Sequence, residues 1–498
     1  MERYPAWTKP ACALARGRRR APCGKRRPDP RRGISDKEVA RTMTILIQNA
    51  SFIVCDADHV LQDQDLLIEG NRIAGIGRFT PQPGWDIIPA HGRAVMPGLI
   101  NAHTHLYQNF LKGLNDGVPL VDWCAQVLYP AADVIHTDHW QAHDERLGYA
   151  WSLAGALEMI QNGTTCCINM DMTMDAVFQA WLDIGFRGIG AVTLVDQWIP
   201  ECLRREPALM RQEALGYVER WHGMPADSPR IHIMLAPSTP FLASPALLRW
   251  TAEQRDRLGL RVQIHVAETR YEVEQIAQTA GTTPLRYLER FGLVDERLTA
   301  VHCVHMDEED LELLRRREVV VVHNPKSNLK LGSGIAPVPR MLELGIPVAL
   351  ANDGAASNDL LDMFEEMRCA ALIQKGAAEN PGVLSARQVF RMATEYGARA
   401  CGIPAGVLEA GRLADVVIVN LRRPHLVPVH DIINTLVYCA KGSDVETVII
   451  DGRVVMRGRQ LQTMNEDDII AMAEERGQDL RRRSLHSPLF PGHRHAEE

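Results

Sequence analysis

"AVMPGLINAHTHLYQNF", residues 94–110, carries an apolar, strand-like run into two histidines one residue apart, His103 and His105. Successive side chains of a strand alternate faces, so a spacing of two sends both imidazoles to the same side. A lone histidine at a strand end is ordinarily a structural residue with a hydrogen-bond partner. Two on one face raise the question of what else faces them.

Counting outward, this run at 95–104 is the first of eight. The others lie at 164–169, 187–194, 231–236, 261–266, 298–303, 319–323 and 347–352. Helical patterns separate them, among them "DERLGYAWSLAGALEMIQNG", "SPALLRWTAEQRDRLG" and "DEEDLELLRRR", several with a Ser or Asp start and a Gly stop. Eight such units over residues 96–405 predict an α/β fold, a (β/α)8 TIM-like barrel. A doubly wound open sheet is the alternative, but no G-x-G-x-x-G follows the first strand.

The flanks have a different texture. "TILIQNASFIVC" and "DLLIEGNRIAGIG" before the barrel, and "LADVVIVNL" and "VETVIIDGRVVMRGRQ" after it, are short β-like runs broken by turn residues. We expect residues 43–95 and 406–462 to pair into one small β-sandwich domain. Residues 1–42 hold thirteen Lys and Arg against four Asp and Glu, a net +9, so the formal −7 of the whole chain leaves −16 for residues 43–498. This basic leader suits an organelle-targeting peptide or a disordered extension upstream of a start at Met43. It is not serine-rich and a strand follows it at once, so we read it as a disordered extension. Residues 478–498 read as a mobile tail.

An acidic body of 498 residues argues against a nucleic-acid binder, whose footprint is a basic stripe. No run approaches the roughly eighteen consecutive apolar residues of a membrane span. Eleven cysteines, an odd number with no C-x-x-C pair, suit a reducing compartment, and a cytoplasmic protein is expected.

Barrel active sites collect at the C-terminal ends of the strands. There the sequence places His103 and His105, then His265, His302 and Asp353. Buried imidazoles and carboxylates need partners, and a divalent metal supplies one. Three imidazoles with a carboxylate suit zinc or iron better than magnesium or calcium, which prefer oxygen.

Four motifs, "PGLINAHTH", "HVAET", "VHCVH" and "NDGAASND", resemble in order and spacing the amidohydrolase superfamily, over about residues 45–460. Within it the chain looks like the aminohydrolase branch of methylthioadenosine/S-adenosylhomocysteine deaminases, guanine deaminases and triazine hydrolases. The resemblance implies His103, His105, His265 and Asp353 as metal ligands, Asp353 also as acceptor of the attacking water's proton, and Glu268 as proton shuttle. It places His302 beside the water and the substrate. Two-metal members of the superfamily hold a carbamylated lysine at the end of strand 4. No lysine lies between Lys112 and Lys326, so one ion is expected, Zn2+ first and Fe2+ as its alternative.

The segment from "HNPKSNLKLGSG" to "NDLLDMFEEMR" is similar to the adenosine-derivative deaminases and puts Asn324 at the mouth. Three positions depart from their pattern. Ser238 of "APSTPF" stands where a histidine faces the nucleoside, Asp122 precedes Trp123 where a glutamate grips ribose, and Asn352 replaces a small residue before Asp353. Meanwhile "NAHTHLYQNFLKG" and "VDWCAQVLYP" are similar to atrazine chlorohydrolase and melamine deaminase, which puts Gln108 and Trp123 on the ring pocket. The expected partners are water and a small heteroaromatic amine, first an adenosine derivative of the S-adenosylhomocysteine or methylthioadenosine type. An s-triazine hydrolase or guanine-type deaminase is the alternative. With every ligand position filled, a metal-free scaffold is disfavoured, and a homo-oligomer is expected.

Overall fold

From its first described residue the chain builds a small sheet. The computed structural model describes residues 44–491; the expected basic extension at 1–42 lies outside the described residues. The N-terminal flank forms β1 (Thr44–Val54), β2 (Val60–Glu69), β3 (Arg72–Gly77), β4 (Asp86–Pro89) and β5 (Arg93–Pro97). The opening run therefore makes two strands, because the chain passes at Gly98 from β5 into β6 (Leu99–Thr104), the first barrel strand. Only glycine fits that crossing, since a Cβ there would lie 2.0 Å from Thr165 Oγ1.

The barrel continues through β7 (Thr164–Asp171), β8 (Arg187–Leu194), β9 (Ile231–Pro237), β10 (Arg261–Val266), β11 (Leu298–His302), β12 (Val320–His323) and β13 (Val348–Leu350). These eight strands are parallel and neighbour one another in chain order. No ladder joins β13 to β6. Instead the Asp353 amide donates to His103 O at 3.0 Å and the Asn352 amide to Asn101 Oδ1 at 3.0 Å, nearly closing the (β/α)8 barrel. The helices between begin and end on the residues that cap them. Ser244 accepts from the Leu247 amide at the start of helix Pro245–Leu258, which Gly259 ends at φ 65°.

The C-terminal flank adds β14 (Val416–Asn420), β15 (Val445–Ile450), β16 (Arg453–Arg457) and β17 (Gln460–Leu461). β14 pairs antiparallel with β5, matching Ile418 with Val95, so both flanks form one continuous nine-stranded mixed sheet beside the barrel. Ile45, Ile47, Leu66, Val95, Val416 and Ile449 form its apolar core.

One expectation fails. The tail expected from residue 478 is helix Glu466–Ser484, followed by residues that also pack. Leu480 and Leu489 are buried, Arg483 pairs with Asp138 at 2.5 Å, and Ser487 Oγ donates to Asp133 Oδ2 at 2.7 Å. So little of this charged helix is apolar that anchoring rests on a few side chains, which is why its composition resembles a tail. Residues 492–498 of that expectation lie outside the described residues. No helix among the described residues is long and apolar enough to cross a membrane.

Candidate metal centre and active-site cavity

Four side chains from three strand ends of the barrel rim converge. His103 Nε2 and His105 Nε2 lie 3.2 and 3.3 Å from His265 Nε2, and the same two nitrogens lie 3.4 and 3.5 Å from Asp353 Oδ1. All four residues are buried.

Which ring nitrogen carries the proton follows from the outer partners. His103 Nδ1–H donates to Gln263 Oε1 at 2.8 Å, His105 Nδ1–H to Met170 O at 2.8 Å, and His265 Nδ1–H to Ser238 O at 2.6 Å. Gln263 is held in turn, its Nε2 donating to Ala102 O at 3.0 Å. Each Nε2 therefore faces the others with a lone pair and no proton. Burial, then the neighbouring His103, pulls His105 down to about 4 and His265 well below the usual imidazole range, so both are neutral ligands. Burial alone would raise the Asp353 carboxyl, but the imidazoles around it, His103 first and then His302 and His105, hold it well below the ordinary range.

Such acceptors do not attract one another. Their spacing is what ligand atoms about 2.0–2.2 Å from a common ion leave between them, roughly 3.0–3.5 Å. These residues fit a divalent metal with a nitrogen-rich donor set, and His103, His105 and His265 form one candidate metal group, with His103, His302 and Asp353 a second that shares it.

Glu268 follows β10 and is buried, its Oε1 accepting from Ser333 Oγ at 3.2 Å and its Oε2 3.6 Å from His302 Nε2. Burial pushes its carboxyl up against the pull of the His302 charge, and Asp353 adds to the rise. His302 is aimed by Asn328, whose Oδ1 accepts from Nδ1 at 2.8 Å, with Asn324 Nδ2 3.2 Å from the same nitrogen. The backbone is strained here. Ala267, His302, Cys303 and Asp353 have φ of 51°, 72°, 48° and 65°, the left-handed region that non-glycine residues rarely adopt.

A cavity of about 260 Å³ opens over this cluster, and His105, His265, Glu268, His302 and Asp353 line it. Its walls are mostly apolar, with Tyr107, Trp123, Tyr129, Trp198, Phe241 and Tyr271 among them. Gln108 and Trp123 line it, and Gln108 Oε1 is buried against Gly354 without a hydrogen-bond partner. Ser238 lines it too. Two predicted substrate contacts fall elsewhere. Asp122 is exposed on the short helix Leu120–Trp123 and is not a lining residue, because neighbouring helix positions face different ways and Trp123 takes the inward one. Asn324 is buried behind His302 and acts on that ring rather than lining the cavity.

Four residues of the site escape motif reading. Gln263 fixes the His103 tautomer, and Ser327 Oγ donates to Asp353 Oδ2 at 2.6 Å. Glu272 accepts from the amides of Ala267 and Glu268 at 3.0 and 3.1 Å and so sets the turn that carries Glu268. Glu366 accepts from the Asn352 and Asn358 side chains beneath the Asp353 loop. The one available signal was chemical: Glu272 stands third in a helix that Thr269 caps.

The model of the amidohydrolase family matches residues 94–455. A 5′-deoxyadenosine deaminase from Methanothermobacter thermautotrophicus is 40% identical over 416 residues, 83% of this chain and 94% of that protein. A 5-methylthioadenosine/S-adenosylhomocysteine deaminase from Desulforudis audaxviator is 40% identical over 445 residues, covering 88% and 99%. Among solved structures, an adenosine deaminase from Xanthomonas campestris with bound zinc superposes with a TM-score of 0.81 at 30% identity, covering 88% of this chain and 99% of that one. Atrazine chlorohydrolase from Arthrobacter aurescens, complexed with zinc, superposes with a TM-score of 0.82 at 26% identity, covering 87% and 100%.

Proposed function

The chain belongs to the amidohydrolase family, and from that premise we propose that it is a metal-dependent aminohydrolase that replaces the exocyclic amino group of an adenosine derivative with oxygen, releasing ammonia. The observation that carries this reading is a juxtaposition. Four ligand atoms converge at one end of an aromatic cavity beside Glu268, a buried carboxyl 3.6 Å from His302.

His103, His105, His265 and Asp353 would hold one divalent ion, Zn2+ in this reading with Fe2+ as its alternative. When bound, that ion supplies the Lewis acidity that ionises water near neutral pH. Asp353, kept ionised by its imidazole neighbours, accepts the water's proton, and its other oxygen stays fixed by Ser327. Glu268, kept protonated longer than an exposed glutamate, protonates the ring nitrogen next to the carbon under attack. Asp353 then returns the water's proton to the amine, which departs as ammonia, and the hydroxyl proton of the tetrahedral centre passes back to Glu268 as the carbonyl forms. His302, aimed by Asn328, steadies the developing tetrahedral centre. The aromatic walls receive the ring. In the same reading the barrel carries the chemistry and the flanking sheet supports it. The nine described cysteines form no disulfide, which suits a cytoplasmic enzyme, and this reading makes it a homo-oligomer.

A second reading has its own observation. Asp122 points away from the cavity and Ser238 replaces a nucleoside-facing histidine, both of which favour a ring without ribose, as in an s-triazine hydrolase. Product release separates the two. Ammonia should be released from 5′-deoxyadenosine, 5′-methylthioadenosine and S-adenosylhomocysteine with kcat/KM values that, for the best of them, exceed those for guanine and melamine roughly a hundredfold. Faster chloride release from a chlorinated s-triazine would instead establish the second reading.

A further inference from the structure

The cavity runs outward from the metal-site imidazoles to His136, Trp140 and Arg205. Arg205 is the one lysine or arginine among its lining residues, and its charge is already engaged. Its Nη2 lies 2.5 Å from Glu213 Oε2, and its guanidinium carbon stacks 4.2 Å from the centre of the Trp140 ring. Glu213 does not line the cavity. It stands on helix Pro207–Trp221, accepts from Trp140 Nε1 at 3.1 Å and lies 3.6 Å from His139 Nε2, so arginine, indole and carboxylate form one locked group.

A guanidinium binds a carboxylate through a planar fork of donors, and one that already holds a carboxylate offers a second little net charge. The cavity also contains three acidic residues of its own, Glu268, Glu272 and Asp353. Trp198, Ile199, Leu203, Phe241 and Leu242 also line the cavity and, the Trp198 indole apart, offer apolar contact and no donor to a carboxylate.

We propose that Glu213, acting through Arg205, is a specificity-positioning residue that tunes the outer cavity for uncharged apolar substituents and against substituents bearing a carboxylate. This inference rests on the adenosine-derivative reading and sharpens it: deoxy and methylthio groups at the 5′ position are favoured over an amino-acid chain. Arg205 is the latent carboxylate site that Glu213 keeps closed.

The test compares kcat/KM for 5′-methylthioadenosine and S-adenosylhomocysteine in the wild type and in the Glu213→Gln, Arg205→Met and double variants. The wild type should favour methylthioadenosine at least about tenfold. Glu213→Gln frees the guanidinium for the substrate carboxylate and should narrow that ratio roughly tenfold, through the KM of S-adenosylhomocysteine. The double variant should restore the wild-type ratio, and Arg205→Met alone should leave the ratio within about twofold, since the wild-type charge is already paired. A wild type that prefers S-adenosylhomocysteine, a Glu213→Gln ratio that does not move, or an Arg205→Met enzyme that selectively loses S-adenosylhomocysteine overturns the inference. Those results leave the deaminase reading standing, whereas absence of ammonia from every adenosine compound removes both.

Discussion

Two clusters of buried charge lie at opposite ends of the same barrel. At the N-terminal end, Arg187 is fully buried and donates to Asp415 at 2.7 and 3.2 Å, to Asp451 at 2.9 Å and to Pro229 O at 2.9 Å. Asp415 precedes β14 and Asp451 turns β15 into β16, so this cluster ties the barrel to the flanking sheet. At the C-terminal end, His103, His105, His265 and Asp353 are buried to a similar degree, yet the atoms that approach one another are all acceptors. The first cluster is complete as protein, whereas the second is complete only with a cation. Buried charge alone does not mark a functional site; converging lone pairs without donors do.

Breaking one cluster should cost chemistry and breaking the other should cost stability. Glu268→Gln keeps the shape beside the metal ligands but removes the transferable proton. We expect kcat to fall by about 10²–10⁴ while metal content, measured on the purified protein, is unchanged. A variant that keeps near-wild-type turnover would take Glu268 out of the mechanism, and one that loses its metal would make it a structural residue.

At the other end, Arg187→Met leaves Asp415 buried without its cation and Asp451 with only Arg230, whose Nε lies 3.9 Å from its Oδ2. Removing one partner of a buried ion cluster typically costs about 3–5 kcal/mol, so denaturant unfolding should shift by an amount of that order. The folded variant should retain its metal and its kcat/KM. A loss of activity in excess of the loss of folded protein would show that the two ends are coupled, and the contrast drawn above would fail.

The same contrast explains what could be read from the sequence. The eight barrel strands were legible because each is an apolar run of strand length set between capped helices, and two of them, 187–194 and 261–266, match to the residue. His103, His105, His265, His302 and Asp353 were legible because each ends such a run, and Glu268 because it follows His265 by three. The supporting residues were not. Gln263 serves His103 from 160 residues away and Ser327 serves Asp353 from 26, pairings that arise only when the barrel closes. Arg187, Asp415 and Asp451 are likewise brought together from separate parts of the chain. Asp122 was assigned to the pocket by its place before Trp123, but one helical position separates the inward face from the outward one. The helix after residue 466 was obscured for another reason. Few of its side chains are buried, so its composition is that of a solvated tail.

A pH-dependent effect is expected beneath the Asp353 loop. Glu366 is fully buried beneath the Asp353 loop; its Oε1 accepts from Asn352 and Asn358, and its Oε2 has no partner. It has neither a balanced ion cluster nor a metal, and burial pushes its carboxyl from 4.5 up to about 8. Unfolded, the group ionises near 4.5; folded, it keeps its proton until about 8, so between these values the unfolded chain binds fewer protons. The stability tied to this proton is full below about 4.5 and is lost as pH rises through about 8, with a slope of at most about 1.4 kcal/mol per pH unit. A glutamine cannot ionise and so escapes the penalty. The Tm of Glu366→Gln minus that of the wild type should therefore climb between about pH 5 and pH 8 and level off above it. A gap that stays flat over that range would mean the carboxylate is ionised where it sits, with Lys326 as its counter-charge, and Glu366 would then join Arg187 among the paired charges.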